Sequence, residues 1–340
     1  MGDPAGIGPE IIAASWGDTK TQLLVRRFVV GDVRVMQAAI DLYQLPIKIR
    51  AISDLAEVED NPEVLSVWPI QTDASRVPRC QVSSAAGTAA AEALSIATRM
   101  ALLKKIDAIV TAPLNKASLH AAGITLPGHT ELLAEQCGVQ NVAMMLHIPH
   151  GPSVAGEVGI SVVHVTLHTS LRNVFSEMTS KAIVDKCQLA TQFTQAMLAA
   201  REIKRPPRIG VAALNPHGGE NGLFGDEEIR IIGPAVSQAQ KLGFPVVGPL
   251  PCDTLMHRAA DGEFDTIVAM YHDQGHIALK LLGLQRAVNI TLGLPIIRTS
   301  VAHGTAFDIA WKGVARCESM LEAIRTAAYL AANRSLLFAD

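Results

Sequence analysis

Charge is scarce in this chain. Asp, Glu, Lys and Arg make up 18% of its 340 residues, the net charge is −3, and aromatic residues account for 4%. A protein that grips nucleic acid needs a basic face or aromatic platforms for bases, and this composition supplies neither. No apolar run approaches the ~20 residues of a membrane-crossing helix. No basic-then-apolar leader opens the chain, so no secretory signal is expected. The five cysteines (Cys80, Cys137, Cys187, Cys252, Cys317) are scattered, odd in number and form no Cys-x-x-Cys pair. They read as reduced, mostly structural thiols of a cytoplasmic protein. Repeats, charge blocks and low-complexity linkers are also missing.

What is present is apolar: hydrophobic residues form 49% of the chain. The length exceeds the usual size of one core, so two lobes are expected. Few charges on so apolar a chain point to some surface being buried in an oligomer. Short β-branched runs predict strands over 23–30, 107–112, 142–148, 160–167, 208–214, 265–271 and 287–292. Longer helical patterns cover 85–105, 179–202, 226–242 and 318–337. Such alternation predicts an α/β architecture with parallel sheets. In these sheets ligands gather beyond the carboxyl ends of the strands.

Polar residues recur at those ends: Asn115 and Lys116, His168, Asn215 with His217 and Glu220, His272 with Asp273 and His276, and Asn289 leading to Arg298. A lone histidine after a strand is ordinarily a satisfied structural side chain. Three at matching positions could instead hold a divalent ion and leave a coordination position open, although no local spacing motif such as His-Glu-x-x-His joins them. "NPHGGENGLFGDEE" carries four glycines and then Asp226, placed as the N-cap of a helix. A loop this long and glycine-rich is either an ordinary turn or functional. In "PGHTELLAE", His129 or Thr130 stands near a helix start that favours an anion, and Thr130 also suits a structural cap. Lys116 and Lys280 read as solvated charges on their own, but Lys280 follows two histidines in "HDQGHIALK". "SVAHGTAFDIAWKG" joins His303, Gly304, Thr305 and Asp308 ahead of an apolar helix, as a loop with a cap or as something more.

"GDPAGIGPE", "PGHTE", "LNPHGGENGLFGDEE", "GPLPCDTL", "MYHDQGHIALK" and "VNITLGLPIIRTSVAHGTAFDIA" together resemble the 4-hydroxythreonine-4-phosphate dehydrogenase (PdxA) family, in its order, from Gly2 to Ala310. The resemblance implies two α/β/α lobes of the isocitrate/isopropylmalate dehydrogenase-like type, placed at residues 1–125 plus 300–340 and at 126–299. It implies a cleft between them, and a homodimer with the active site at its interface. His168, His217 and His272 match the family's divalent metal ligands, for Zn, Mg, Co or Mn. His129, Thr130, Lys280, Asn289 and Arg298 match substrate contacts. His303, Gly304, Thr305 and Asp308 fall in the NAD or NADP loop, and "HGTAFDIAWKG" also looks like the adenine-side loop of isocitrate and isopropylmalate dehydrogenases. Asp253 matches an acidic position of the motif and is placed with Lys280 among the catalytic groups.

The implied reaction is NAD-dependent oxidation of a phosphorylated 3-hydroxy acid followed by loss of carbon dioxide, with 4-phosphohydroxy-L-threonine as substrate, in pyridoxal phosphate biosynthesis. Alternatives within the family are D-threonate or D-erythronate 4-phosphate and a terephthalate cis-dihydrodiol. From other classes, a metal-dependent phosphohydrolase and a non-catalytic binding module suit some of the same residues. Three departures from the family stand out: a first strand expected ahead of Met1, Trp311 where related loops carry a small residue, and "VVHVTLHTSLR" around His168. "MGDPAGIGPE" fits neither Gly-x-Gly-x-x-Gly nor a P-loop. It reads as a strand-to-helix turn, with Pro9 at the first helical position, Glu10 in the first turn and Asp3 near substrate or cofactor.

Overall fold

The computed structural model describes residues 1–126 and 128–338; Pro127, which opens "PGHTE", and the last two residues lie outside them. The chain divides into two compact units, Met1–Val142 with Leu294–Ala328 and Ala143–Gly293 with Tyr329–Asp340. These divisions differ from the expected ones at 125/126 and 299/300. The reason is packing. Helix His129–Cys137 places Leu132 and Leu133 in a core with Leu94, Ala97 and Ile109. Strand Ile297–Val301 pairs in parallel with Ala108–Thr111. Both segments therefore belong to the first unit, while the terminal helix Arg334–Leu337 packs on Ser180–Ala200 of the second.

In the first unit, strands Val29–Gly31, Val64–Pro69 and Lys48–Ala51 lie side by side in that order, all parallel. The strand expected over 23–30 shrinks to its last residues. Thr19–Gln22 is helical, capped by Asp18, and Leu23 is 88% exposed, so the run ahead of Val29 has no sheet to join. Helix Ser84–Leu102 grows from an alanine-rich run, with Ser83 Oγ accepting from Ala86 N–H. Gly87 lets it meet helix Lys116–Ala121 closely, because a Cβ there would lie 2.0 Å from the Ser118 carbonyl oxygen.

Among the described residues the second unit holds six strands, in the order Val288–Leu292, Ala143–Ile148, Ile160–His164, Thr266–Ala269, Ile209–Ala212 and Val246–Leu250. The last four are mutually parallel. Ala143–Ile148 runs antiparallel to both its neighbours, so the sheet is mixed rather than wholly parallel. Helices Ser180–Ala200, Cys252–Ala260 and His272–Gly283 pack against it. The helix expected over 226–242 is a π-turn, Glu228–Ile232, continued by the α-helix Gly233–Lys241. Asp226 is not its N-cap; its carboxylate pairs with Arg230 at 2.7 Å. Among the described residues no helix is long and apolar enough to cross a membrane.

Candidate active site

His168, His217, His272, Lys280, Asn289 and Asp253 all belong to the second unit. His272 opens helix His272–Gly283, directly after strand Thr266–Ala269. Its start has no side-chain cap on Tyr271 and is tied down by Gln274 instead. Gln274 Oε1 accepts from Met270 N–H at 2.7 Å, and its Nε2 donates to the Ala213 carbonyl at 2.7 Å. One amide thus links the ends of the two strands that lead to His272 and to the His217 loop. The residue types gave no hint of this role, since the "HDQGH" stretch draws the eye to its histidines.

His272, His276 and Lys280 recur every four residues on one helix and so share a face. The His272 ring lies 6.0 Å from that of His168, centroid to centroid. Its Nδ1 sits 2.7 Å from Asp273 Oδ1, a contact in which Nδ1–H donates to the carboxylate, which in the neutral ring places the lone pair on Nε2. Two further histidines adjoin this pair, and neither His164 nor its contact with His276 was foreseen. His164 Nε2 is 3.1 Å from His276 Nδ1. Burial holds the pKa of both well down, that of His164 to about 4.

His217 sits on a strained turn. From His217 to Gly222 every residue has positive φ, including the non-glycines His217 (53°), Glu220 (45°) and Asn221 (56°). For L-residues this left-handed region is unfavourable by roughly 1–2 kcal/mol each, so something must hold the turn in place. Glu228 does this from the π-turn. It accepts from the backbone of Leu214 and Asn215 at 2.7 and 2.8 Å and from Asn215 Nδ2 at 2.9 Å. Burial alone would raise the Glu228 pKa, but these bonds from Asn215 and Leu214 outweigh it and leave it lowered. The His217 ring packs 6.5 Å from that of Phe224. Among the described residues no group of three His, Cys, Asp or Glu stands arranged around one ion position. His168 and His272 come together; His217 is held on its own loop. Asn289 Oδ1, on strand Val288–Leu292, is buried without a hydrogen-bond partner, as suits a group awaiting a ligand. Asp253 lies in the first turn of helix Cys252–Ala260.

His129, Thr130, Arg298 and the 303–308 loop belong to the first unit. Gly128 occupies the N-cap of helix His129–Cys137 and supplies no side-chain cap, so Thr130 does not serve as one. Arg298, 4% exposed, lies close enough to His129 that burial first and the guanidinium second hold the imidazole far below its usual pKa. Burial also lowers Arg298 itself, to about 10, against the opposing charge of Glu131. A helix start and a buried guanidinium thus meet at one place, a combination that receives oxyanions.

The opening turn and the 303–313 loop are bound together. Ile7 N–H donates to the Thr305 carbonyl at 3.0 Å, and a Cβ on Gly6 would fall 2.7 Å from Thr305 Cβ. Asn115 caps helix Lys116–Ala121 and reaches Thr305 Oγ1 at 3.5 Å. Trp311, the bulky departure, donates from its indole to the Pro4 carbonyl at 3.0 Å and lies under Arg79 at 4.0 Å. Glu10, fully buried, accepts the backbone N–H of both Trp311 and Gly313. Asp3 is buried as well, which raises its pKa; Oδ1 accepts from Ala5 N–H, and Oδ2 has no hydrogen-bond partner. His303 contacts the Gly304 carbonyl at 3.1 Å, and Asp308 is exposed.

The chain is thus a two-unit α/β protein, with imidazoles at the strand ends of one unit and a buried arginine at a helix start of the other. The family model of the pyridoxal phosphate biosynthetic protein PdxA matches residues 24–327, and the chain belongs to that family. It is 45% identical over 338 residues to a D-threonate 4-phosphate dehydrogenase of Cupriavidus necator, covering 98% of this chain and 97% of that one. It is 44% identical to a 4-hydroxythreonine-4-phosphate dehydrogenase of Geobacter metallireducens, covering 97% and 94%. The crystal structure of a 4-hydroxythreonine-4-phosphate dehydrogenase from Klebsiella pneumoniae superposes with a TM-score of 0.82 at 42% identity, covering 97% and 96%.

Proposed function

We propose that this protein is a dehydrogenase that oxidises the secondary hydroxyl of a phosphorylated hydroxy acid with a nicotinamide nucleotide, NAD before NADP. The observation that carries the substrate class is the buried Arg298 beside the uncapped start of helix His129–Cys137. Arg298, His129 and Thr130 bind the phosphate, and Asn289 supplies its unpartnered amide oxygen to a substrate donor. A nicotinamide nucleotide, when bound, would supply the hydride acceptor for the carbinol carbon, and Lys280 takes the hydroxyl proton. The resulting β-keto acid loses carbon dioxide. Asp253 assists from its helix start, and His303, Gly304, Thr305 and Asp308 contact the nucleotide.

His168, His217 and His272 would hold a divalent cation (Zn, Mg, Co or Mn), a reading supported by the lone pair that Asp273 leaves on His272 Nε2. When bound, such an ion polarises the substrate hydroxyl. The protein works as a homodimer with its site at the interface. Ile277, Leu281 and Leu284, exposed at i, i+4 and i+7, give it an apolar stripe to bury. It acts in the cytoplasm, where its five free thiols stay reduced.

The substrate is 4-phosphohydroxy-L-threonine. The relative from Cupriavidus favours D-threonate 4-phosphate as a second reading. A spectrophotometric screen of nucleotide reduction, with divalent metal, compares these two with D-erythronate 4-phosphate and the terephthalate dihydrodiol. Turnover of one phosphorylated acid is the expected result. Reduction with none of them, or metal-dependent phosphate release instead, would overturn the proposal.

A further inference from the structure

The His164–His276 contact has a direction. In a hydrogen bond between two imidazoles, one nitrogen donates and the other accepts. His164 Nδ1 lies 3.3 Å from the Met144 carbonyl, which can only accept, so a hydrogen bond there requires the hydrogen on that nitrogen. The neutral His164 ring then offers a lone pair at Nε2, and His276 Nδ1, 3.1 Å away, is the donor. Both rings are enclosed, at 2% and 5% exposure. The approach also depends on Gly275. A Cβ there would fall 2.7 Å from His164 Nε2 and 2.4 Å from Val162 Cγ1. Beyond the chain of bonds, the His276 ring lies flat on that of His272, with centroids 3.9 Å apart and planes 11° apart.

We propose that His164 and His276 form a positioning pair: the Met144 carbonyl fixes the tautomer of His164, His164 fixes His276, and the stacked His276 ring sets the plane in which His272 presents Nε2. A solvated histidine at a helix start can turn about both side-chain torsions. Here one face of His272 is occupied by a ring that is itself tied to the sheet, and its Nδ1 is tied to Asp273. The consequence for ligand binding rests on the proposed metal role of His272; the pair itself does not.

Two measurements test this separately. In the ion-free protein with histidine rings labelled in nitrogen-15, long-range proton–nitrogen spectra report each tautomer. The hydrogen is expected on Nδ1 of both His164 and His276; a hydrogen on His164 Nε2 would overturn the pair. Zinc titration calorimetry then compares two variants, each first confirmed as folded by circular dichroism. His276→Leu removes ring and bond together and should weaken zinc binding about 10–100-fold, the usual loss when a ligand's supporting group is removed. His276→Phe keeps a ring in the stack and should lose markedly less. Wild-type affinity in His276→Leu would overturn the positioning role. A wild-type protein that binds no zinc would overturn the metal reading of His272 instead, and the tautomer spectra would still decide the pair.

Discussion

Arg298 donates from both Nε and Nη2 to the hydroxyl of Thr111, at 3.2 and 2.6 Å, across neighbouring parallel strands. Both side chains are buried, so the hydroxyl helps decide where the guanidinium points. Hydrogen bonds to charged groups are worth about 1.5–3 kcal/mol, or about 10–100-fold in an equilibrium. Thr111→Val keeps the shape and removes the acceptor. It should raise KM for the phosphorylated acid about tenfold or more, with a smaller fall in kcat. Thr111→Ser should recover most of the loss. Steady-state kinetics on the three proteins checks this, and an unchanged KM in Thr111→Val would separate Arg298 from phosphate binding.

Glu10 holds the other end of the first unit's loops. Its carboxylate receives two backbone N–H groups, from Trp311 and Gly313, with no exposure to water. Trp311 and Gly313 both have positive φ, so this turn needs an anchor. Glu10→Ala leaves those donors buried and unpaired, at about 1–3 kcal/mol each. The expected result is a fall in the urea midpoint and a KM that rises more for the nucleotide than for the hydroxy acid. A stability loss with both KM values unchanged would mean that Glu10 serves the fold alone.

How much of this was readable beforehand depended on the distance between partners. Strands of the second unit, such as Ile160–His164 and Thr266–Ala269, stand out because both faces are buried and β-branched residues run together. Lys48–Ala51 is polar and mostly exposed, and Val246–Leu250 contains Pro249, so neither carried a strand signal. Histidines beyond strand ends were visible as a pattern. Thr111 and Arg298 are separated by 187 positions and Glu10 and Trp311 by 301, and no local spacing relates them. His164 closes strand Ile160–His164, but the strand expected over 160–167 placed it in the interior, so a search of strand ends passes over it. The opening "GDPAGIGPE" reads in sequence as a strand-to-helix turn. In three dimensions its glycine at position 6 is the surface on which Thr305 rests.

The left-handed turn at 217–222 offers a test in which stability and activity move apart. Glu220 is exposed and has φ near 45°, a conformation that costs a side-chain-bearing residue about 1 kcal/mol relative to glycine. Glu220→Gly should therefore raise the melting temperature by a few degrees with little effect on turnover. His217→Ala, in the same turn and also exposed, should leave the melting temperature of the ion-free protein nearly unchanged while abolishing turnover. Thermal melts and kinetics on the two variants decide it. Full activity in His217→Ala would remove His217 from the proposed site.

Acid stability should depend on Asp265. Its carboxylate is fully enclosed and meets Arg205 at 2.7 and 2.8 Å, Arg208 Nη2 at 3.1 Å and Arg208 N–H at 2.9 Å. Burial would raise its pKa, but the hydrogen bonds from Arg205 and Arg208 outweigh this and leave it below the ordinary carboxyl value. A folded-state pKa below the unfolded one means that the unfolded chain binds the proton more readily. The stabilisation is then complete above the unfolded value, about pH 3.9, and is lost as pH falls below it through the folded value. Asp265→Asn should lower stability at neutral pH, because it leaves two arginines facing a neutral amide. It should also flatten the acid limb of the stability curve. Urea unfolding between neutral pH and about pH 3 measures both, and an unchanged slope on the acid side would assign the acid sensitivity to other carboxylates, Glu228 first among them.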